Sequence, residues 1–341
     1  MKDRVTSKDV AKKAGVSQAT VSRVINKYPY IRQSTREKVL SAIAEMGFTP
    51  DQVARSLNIR KTTTIGLIVG DISNSFFAET AKVIISEARE LGYDVILSNT
   101  NHESGNLKKS IDTFIGKRVD GMIIGSVERF DEEIQYLYES NFPVILYNTK
   151  VDTEHCHSVV LNNTKGAVLA TEHLLGLEHE KIAYITLPLK YSTLFERMEG
   201  YKQALSDNGL KYDPELVYTG NISHQSISKF LDKLWAMKDR PTAIFAASDQ
   251  IAVTVMEICK NKNIKIPEDI SIIGFDDITL SSSPFIHLTT ISQQHKRMSS
   301  MVVEKLTRFI EDDHSKNKGP EQTVLEPELI VRSTTKRRIK D

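Results

Sequence analysis

Only two of the 341 residues are cysteine, only one is tryptophan, and the positive and negative charges nearly cancel at a formal +1. Cys156 and Cys259 lie far apart and match no metal or redox spacing, so a disulfide scaffold is excluded; they read as buried or incidental thiols of a reducing compartment. The triplet His155-Cys156-His157 has no second ligand cluster and reads as a loop or strand edge. No metal and no cofactor are expected. No apolar run approaches the roughly 20 residues that a membrane span needs. Met1-Lys2-Asp3-Arg4 runs straight into a polar helix, without the apolar stretch of a secretory signal. The expectation is a cytoplasmic protein with no membrane association. Also missing are G-x-G-x-x-G after a strand, G-x-x-x-x-G-K-[ST], H-E-x-x-H and G-x-S-x-G. An enzyme is therefore the weaker reading, and no catalytic residue is assigned.

What is present is a long, ordinary globular composition, 40% hydrophobic and 26% charged, enough for two or three domains with real cores. The near-zero charge conceals an asymmetry. Residues 1 to 61 hold 13 basic and 5 acidic side chains, a net +8, and the rest of the chain carries a net −7. A basic head on an acidic body points to a polyanionic partner for the head.

Within the head, Thr6-Ser7-Lys8-Asp9 has the form of a helix N-cap box, and Val10, Ala11 and Ala14 follow on one face before Gly15 ends the helix. "GVSQATVSRVIN" then turns at Gly15-Val16 and restarts with Ser17 as the next cap, with Val21, Val24 and Ile25 as its buried stripe. Two short helices joined by a tight glycine turn form a helix-turn-helix. Its second helix turns Gln18, Ala19, Ser22 and Arg23 away from the core with Thr20 beside them, polar or small groups suited to reading base edges in a major groove. Ser17, Thr6 and Asn26 complete this candidate DNA-contacting set. A plain helical hairpin with a solvated face is the alternative. A third helix is expected over "STREKVLSAIAEMGF", with Ser34 as its cap.

"PDQVARSL", residues 50 to 57, reads as a helix of barely two turns with Val53, Ala54 and Leu57 on one face. Alone, so short a helix should not be stable in water. The stretch from Val5 to Leu57, "VTSKDVAKKAGVSQATVSRVIN" followed by "TREKVLSAIAEMGFTPDQVARSL", resembles without a gap the headpiece of the lactose repressor (LacI/GalR) family of bacterial regulators. That resemblance implies a hinge helix that forms when two subunits sit side by side on operator DNA. By position Leu57 is then the leucine that wedges into the minor groove, Ala54 permits close approach and Arg55 lies near phosphate. Asp51 stands where the family usually has asparagine.

From Thr62 onward, short apolar runs alternate with helical stretches: "TIGLIVG", "YDVILSN", "VDGMIIG" and "FPVILYN", then a restart at "HSVVLNN" continuing through "KIAYITL", "TAIFAAS" and "ISIIGFD". This is the pattern of parallel sheets covered on both faces, in two tandem subdomains. The body also resembles the same family and, through it, the periplasmic sugar-binding proteins. The fold class expected is thus an N-terminal all-α helix-turn-helix headpiece with an α/β periplasmic-binding-protein-like body of two parallel-sheet subdomains. The resemblance places three crossings between the lobes, near Asn162, near Gln293 and at residues 321 to 324, and returns the helix around Met301 to Phe309 to the first lobe. The divisions are 1–49 for the headpiece, 50–61 for the hinge, 62–161 plus 293–322 for the first lobe and 163–291 plus 323–335 for the second.

Open α/β sheets bind ligands beyond the carboxyl ends of their strands. By resemblance, "GDISNSFF" brings Asp71, Asn74 and Phe76 to the cleft, "ERMEGY" brings Arg197, "ASDQIA" and "GFDD" bring Ser248, Asp249 and Asp276, and "LTTISQ" brings Gln293. Asn148, Tyr191 and Thr193 complete the candidate ligand-binding set. Asp249 and Asp276 also fit as loop or helix-capping carboxylates. Asn148 stands where many members have aspartate, and Ile222 where some sugar binders have tryptophan, so any aromatic platform has to come from Phe76, Tyr191 or Phe195. Trp235 reads as a packing residue.

The resulting expectation is a DNA-binding regulator, a repressor of carbohydrate or sugar-acid genes, whose operator affinity answers to a small ligand. A protein corepressor as the signal is the alternative. The ligand is expected to be a monosaccharide or a sugar acid, the acid favoured because Arg197 and nearby Lys190 remain while Asn148 replaces a carboxylate. A homodimer is expected on double-stranded operator DNA. The closing "ELIVRSTTKRRIKD" is too short and too basic for the leucine-heptad tail of the family's tetramers. The effector's identity, the operator and the direction of the response stay open.

Overall fold

The computed structural model describes residues 5–26, 28–48, 61–152, 156–312 and 319–338. The hinge segment 50–57, with Ala54, Arg55 and Leu57, and His155 lie outside the described residues. Contacts divide the chain into Met1–Thr62 and Thr63–Asp341.

The head is three helices, α1 (Ser7–Ala14), α2 (Gln18–Ile25) and α3 (Gln33–Met46). Thr6 caps α1 in a reciprocal box with Asp9, Gly15 closes it in the left-handed conformation, and Ser17 caps α2 by accepting from the Thr20 amide. Val10, Ala11, Val21, Val24, Val39 and Ala42 form its small core. The expected cap at Ser34 is incorrect. Helix α3 starts two residues earlier, with Arg32 at the N-cap position and no side-chain cap; a Gln33 to Glu37 side-chain hydrogen bond of 3.0 Å spans its first turn.

In the body, the apolar runs of the central strands are buried on both faces, as a parallel sheet between helices requires, while the edge run "YDVILSN" is only half-buried. The first lobe contains β1 (Thr64–Val69), α4 (Ser75–Glu90), β2 (Asp94–Asn99), α5 (Ser104–Gly116), β3 (Gly121–Ile124), α6 (Glu132–Glu139), β4 (Val144–Tyr147) and β5 (Ser158–Leu161). All its strand pairs are parallel, with Ile65 opposite both Val95 and Gly121. The second lobe contains α7 (Asn163–Gly176), β6 (Ile182–Thr186), α8 (Ser192–Asp207), β7 (Val217–Thr219), α9 (His224–Trp235), β8 (Ala243–Ala246), α10 (Asp249–Asn261) and β9 (Ser271–Ile273), its sheet ordered β7-β6-β8-β9. The chain then passes through β10 (Thr290–Ser292), α11 (His295–Glu311), β11 (Gln322–Leu325) and β12 (Glu328–Ile330). Helix α11 returns to the first lobe, where Gly121 lies against its Leu306 and Ile310.

Two strands are placed differently from the sequence pattern. The run "HSVVLNN", a restart by pattern alone although the division at 161 counts it with the first lobe, pairs as β5 with β4 and β11, giving the first sheet the order β11-β5-β4-β3-β1-β2. Residues 323 to 325, assigned above to the second lobe, are hydrogen-bonded in register beside Val159–Leu161 of the first. Periodicity reports that a run is buried but not which neighbour it pairs with. Antiparallel β10 and β12 follow the crossings side by side, Thr290 opposite Ile330. Both cysteines are buried and free. Trp235 packs partly buried against the main core. Among the described residues no helix is long and apolar enough to cross a membrane.

Gly200 fixes the tightest helix contact. A Cβ there would lie 2.2 Å from the Thr164 carbonyl oxygen of α7, so α8 approaches α7 at backbone distance. Gly200→Ala should therefore destabilise the body by about 2–3 kcal/mol, in the upper range for overpacking because rigid backbone has to move. Urea unfolding of the full chain measures this, and an unchanged midpoint would show that the helices can separate freely.

Candidate functional site

The strand ends of both sheets open onto one cavity of about 430 Å³. From the first lobe it receives Asn74 and Phe76 at the start of α4, His102 after β2, Ser126 after β3 and Asn148 after β4. From the second it receives Lys190, Tyr191, Thr193 and Arg197 after β6, Asn221 after β7, Ser248 before α10 and Asp276 after β9. Three helices, α4, α8 and α10, begin at this wall with Asn74, Tyr191 and Ser248 as their N-cap residues. The positive end of each helix dipole favours electron-rich ligand oxygens, although α4 and α10 already give one amide each to the Asn74 and Ser248 caps.

Arg197 is only 3% exposed. Its Nε donates to Asn163 Oδ1 at 2.9 Å and its Nη1 donates to the Ala247 carbonyl at 2.6 Å and to Asp276 Oδ1 at 3.4 Å. The guanidinium also lies 3.7 Å from the centroid of the Phe275 ring. Its Nη2 makes no hydrogen bond among the described residues. Asp276, with backbone φ of 133°, also accepts from Gln293 Nε2 at 2.5 Å. Burial pushes the Asp276 carboxyl up to about 7, with Arg197 pulling the other way and Asp249 adding to the rise. Asn148 is held in the left-handed region at φ 55° and is nine-tenths buried, and its Oδ1 has no hydrogen-bond partner among the described residues. A buried acceptor left unsatisfied costs free energy that a ligand hydroxyl can recover.

Of the residues expected at the cleft, Asn74, Phe76, Asn148, Tyr191, Thr193, Arg197, Ser248 and Asp276 line the cavity together. Three others do not. Asp71 folds back to accept from the Ser73 amide at 2.9 Å and the Ser73 hydroxyl at 2.8 Å. Asp249 is fully buried and accepts from Thr290 Oγ1 at 2.5 Å, Ser281 Oγ at 2.6 Å and the Ile278 amide at 3.1 Å, so it braces the loop after β9. Gln293 sits behind Asp276. Phe195 also lies off the wall, its ring centroid 3.7 Å from the Arg129 guanidinium. Residues missed by the sequence reading include Phe77, His102, Ser126 and Asn221; the strand-end rule applied to every strand would have found the last three. His102 stands edge-on to Tyr191, ring centroids 5.4 Å apart, and burial pulls its pKa below the ordinary histidine value against the attraction of Asp71.

In the head, Thr6, Ser17, Gln18, Ala19, Ser22, Arg23 and Asn26 are exposed and Thr20 is half-buried. Several are already engaged: Thr6 with Asp9, Ser17 with Thr20, and Gln18 Nε2 with Ser7 Oγ at 2.8 Å. Arg23 makes no ion pair among the described residues, which leaves its charge available to a partner.

Comparison with known proteins follows the same division. Residues 6–51 match the bacterial regulatory proteins, lacI family, and residues 171–335 match the periplasmic binding protein-like domain. The HTH-type transcriptional repressor PurR of Aliivibrio salmonicida (strain LFI1238) is 34% identical over 331 residues, 96% of this chain and 98% of that protein. A crystal structure of the Lac repressor dimer bound to operator and the anti-inducer ONPF is 28% identical, with TM-score 0.84, covering 98% of this chain and all of that one. A complex of the transcriptional regulator CelR with cellobiose is also 28% identical, with TM-score 0.70, over 97% of this chain and all of that one.

The raised Asp276 gives a pH signature. With its folded pKa about 7 above an ordinary unfolded value of about 3.9, the folded state holds an extra proton between those limits, so its contribution to stability falls as pH rises through them. Asp276→Asn lacks this dependence. Its unfolding free energy relative to the parent should rise from pH 4 to 7 and level off above. A flat or reversed difference would mean that Arg197 outweighs burial.

Proposed function

This chain belongs to the lacI family of bacterial regulatory proteins, and on that basis we propose that it is a homodimeric repressor whose operator affinity is set by a small polyhydroxylated effector held between the lobes of its body. The observation that carries the effector reading is the grouping of Arg197, Asp276 and Asn148 on one cavity wall. The arginine brings a donor not used within the protein, the carboxyl and the Asn148 Oδ1 bring acceptors, and Phe76 and Tyr191 add apolar surface for the sugar's C–H faces.

The charge balance selects within that class. Arg197 is matched by Asp276, and Lys190 is matched by Glu128 at 2.6 Å. Once the Asp276 carboxyl is ionised, above about pH 7, each cation of the wall has a carboxylate, and a neutral sugar fits with no charge left over. This shifts the preference away from the sugar acid that the sequence favoured, although the three helix N-termini keep an acid as the second reading. On the DNA side, Gln18, Ala19, Ser22 and Arg23 of α2 read base edges, with Thr6, Ser17, Thr20 and Asn26 supporting the contact. Leu57, Ala54 and Arg55 supply the minor-groove element that the family resemblance implies.

Two experiments test this. A thermal-shift and operator-release panel of matched neutral sugars and their acids should find a neutral sugar that raises the melting temperature, by the equivalent of about 2.7 kcal/mol at a hundredfold excess over Kd, and alters operator binding. Arg197→Ala should abolish both responses. A response to acids alone selects the second reading, and silence across the panel returns the protein-corepressor alternative. Independently, Arg23→Ala should reduce the slope of log affinity against log salt by about one if it meets phosphate, or relax specificity at one base pair if it meets a base; no change in either removes α2 from the interface.

A further inference from the structure

The nitrogen of Arg197 turned away from Asp276 is held by a chain of polar contacts that leaves the cavity. Nε donates to Asn163 Oδ1 at 2.9 Å, Asn163 Nδ2 donates to Glu196 Oε2 at 3.2 Å, and Glu196 Oε1 lies 2.6 Å from Lys150 Nζ. Lys150 belongs to the first lobe, two residues beyond Asn148. Glu196 and Arg197 are neighbours on α8 of the second lobe, and Asn163 is the first residue of α7, just past the crossing at Asn162. At its other end the chain continues from Arg197 through Asp276 to Gln293 at the next crossing.

Asn163 is 2% exposed, so its amide cannot turn to water for partners. Its Nδ2 divides itself between the Leu161 carbonyl at 3.2 Å and Glu196, an arrangement that leaves Oδ1 for the arginine. The first turn of α8 is tied to the same strip of the first lobe by the Lys150 amide, which donates to Ser192 Oγ at 3.0 Å. Other contacts also bridge the lobes, among them Lys190 with Glu128 and the Thr279 amide with Glu79. Neither of them connects to the arginine.

We propose that Glu196 is a positioning residue that makes lobe closure and the setting of Arg197 one event: closure brings Lys150 to Glu196, Glu196 orients Asn163, and Asn163 holds the guanidinium with Nη2 free for ligand. This deepens the reading of the cavity as an effector site and rests on it. The Lys150–Glu196 pair is partly exposed, with side chains 39% and 20% accessible, so screening keeps its effect small. Its loss should change the open-to-closed ratio roughly two- to fivefold.

The test needs no ligand, so it can fail separately from the effector reading. In the full chain, Lys109→Cys on α5 and Lys229→Cys on α9 carry spin labels, one in each lobe, while the native cysteines are buried. Excess unlabelled chain limits each assembly to one labelled protomer, and pulsed dipolar spectroscopy reports the inter-lobe distances. Lys150→Gln and Asn163→Ala, which do not touch each other, should each raise the long-distance population two- to fivefold. The double variant should do no more than either alone, because both cut the same chain. Should Asn163→Ala fail to fold, Glu196→Gln takes its place with the same expectation. An unchanged distribution in Lys150→Gln, or additive shifts in the double variant, would overturn the proposal.

Discussion

The body is organised by the need to hold one buried guanidinium. A charge removed from water is tolerated when it is paired and hydrogen-bonded, and Arg197 meets that condition through Nε and Nη1, with groups brought from separate parts of the second lobe and Nη2 left over for ligand. The end of β8 gives the Ala247 carbonyl, the loop after β9 gives Asp276, the start of α7 gives Asn163, and Phe275 offers its ring face. Each of these groups has its own constraint in turn. Asp276 adopts a positive φ and is held by Gln293 at a crossing between the lobes. Asp249 consumes its whole carboxylate in fastening the segment that follows. Gly200 allows α8, which carries the arginine, to lie against α7 at backbone distance.

In the proposed reading, a site built this way responds to a small molecule. The cation is oriented before any ligand arrives, so little ordering has to be done on binding. The opposing lobe contributes Asn148, whose buried Oδ1 has no partner among the described residues. A polyhydroxylated molecule that satisfies both lobes binds the arrangement that brings them together, and it shifts the population by its differential affinity for that arrangement. The DNA-binding head is a small unit by itself, with α1 and α2 capped by Thr6 and Ser17.

Much of this was legible in the sequence because the signals are local. Thr6 with Asp9, Gly15 and Ser17 announce helix boundaries through their own capping chemistry, and the uninterrupted Val/Ile/Leu runs announce buried parallel strands. The readings that failed depended on distant partners. Ser34 looks like a cap, yet the helix begins two residues sooner with Arg32 at its N-cap position and no side-chain cap. The run at Ser158 looks like the first strand of a new sheet, yet it completes the old one beside a strand more than 150 residues later in the chain. Asp249 resembles a ligand carboxylate in its motif, and only the positions of Ser281 and Thr290 show that its oxygens are already occupied. His102 carries no motif at all; its place at the end of β2 is its only signal.

The central claim is that the buried Arg197–Asp276 pair serves ligand recognition and not stability, and one comparison tests it most directly: the unfolding free energies of Arg197→Met, Asp276→Leu and the double variant, read beside operator release by the effector. Removing Asp276 alone leaves the buried guanidinium uncompensated and should cost about 3–5 kcal/mol. Removing Arg197 alone should cost less, because the raised Asp276 carboxyl then takes up a proton, and removing both should recover most of the larger loss. The recovered double variant should nevertheless be deaf to the effector. A double variant as unstable as Asp276→Leu alone, or one that still answers the effector, would contradict the account.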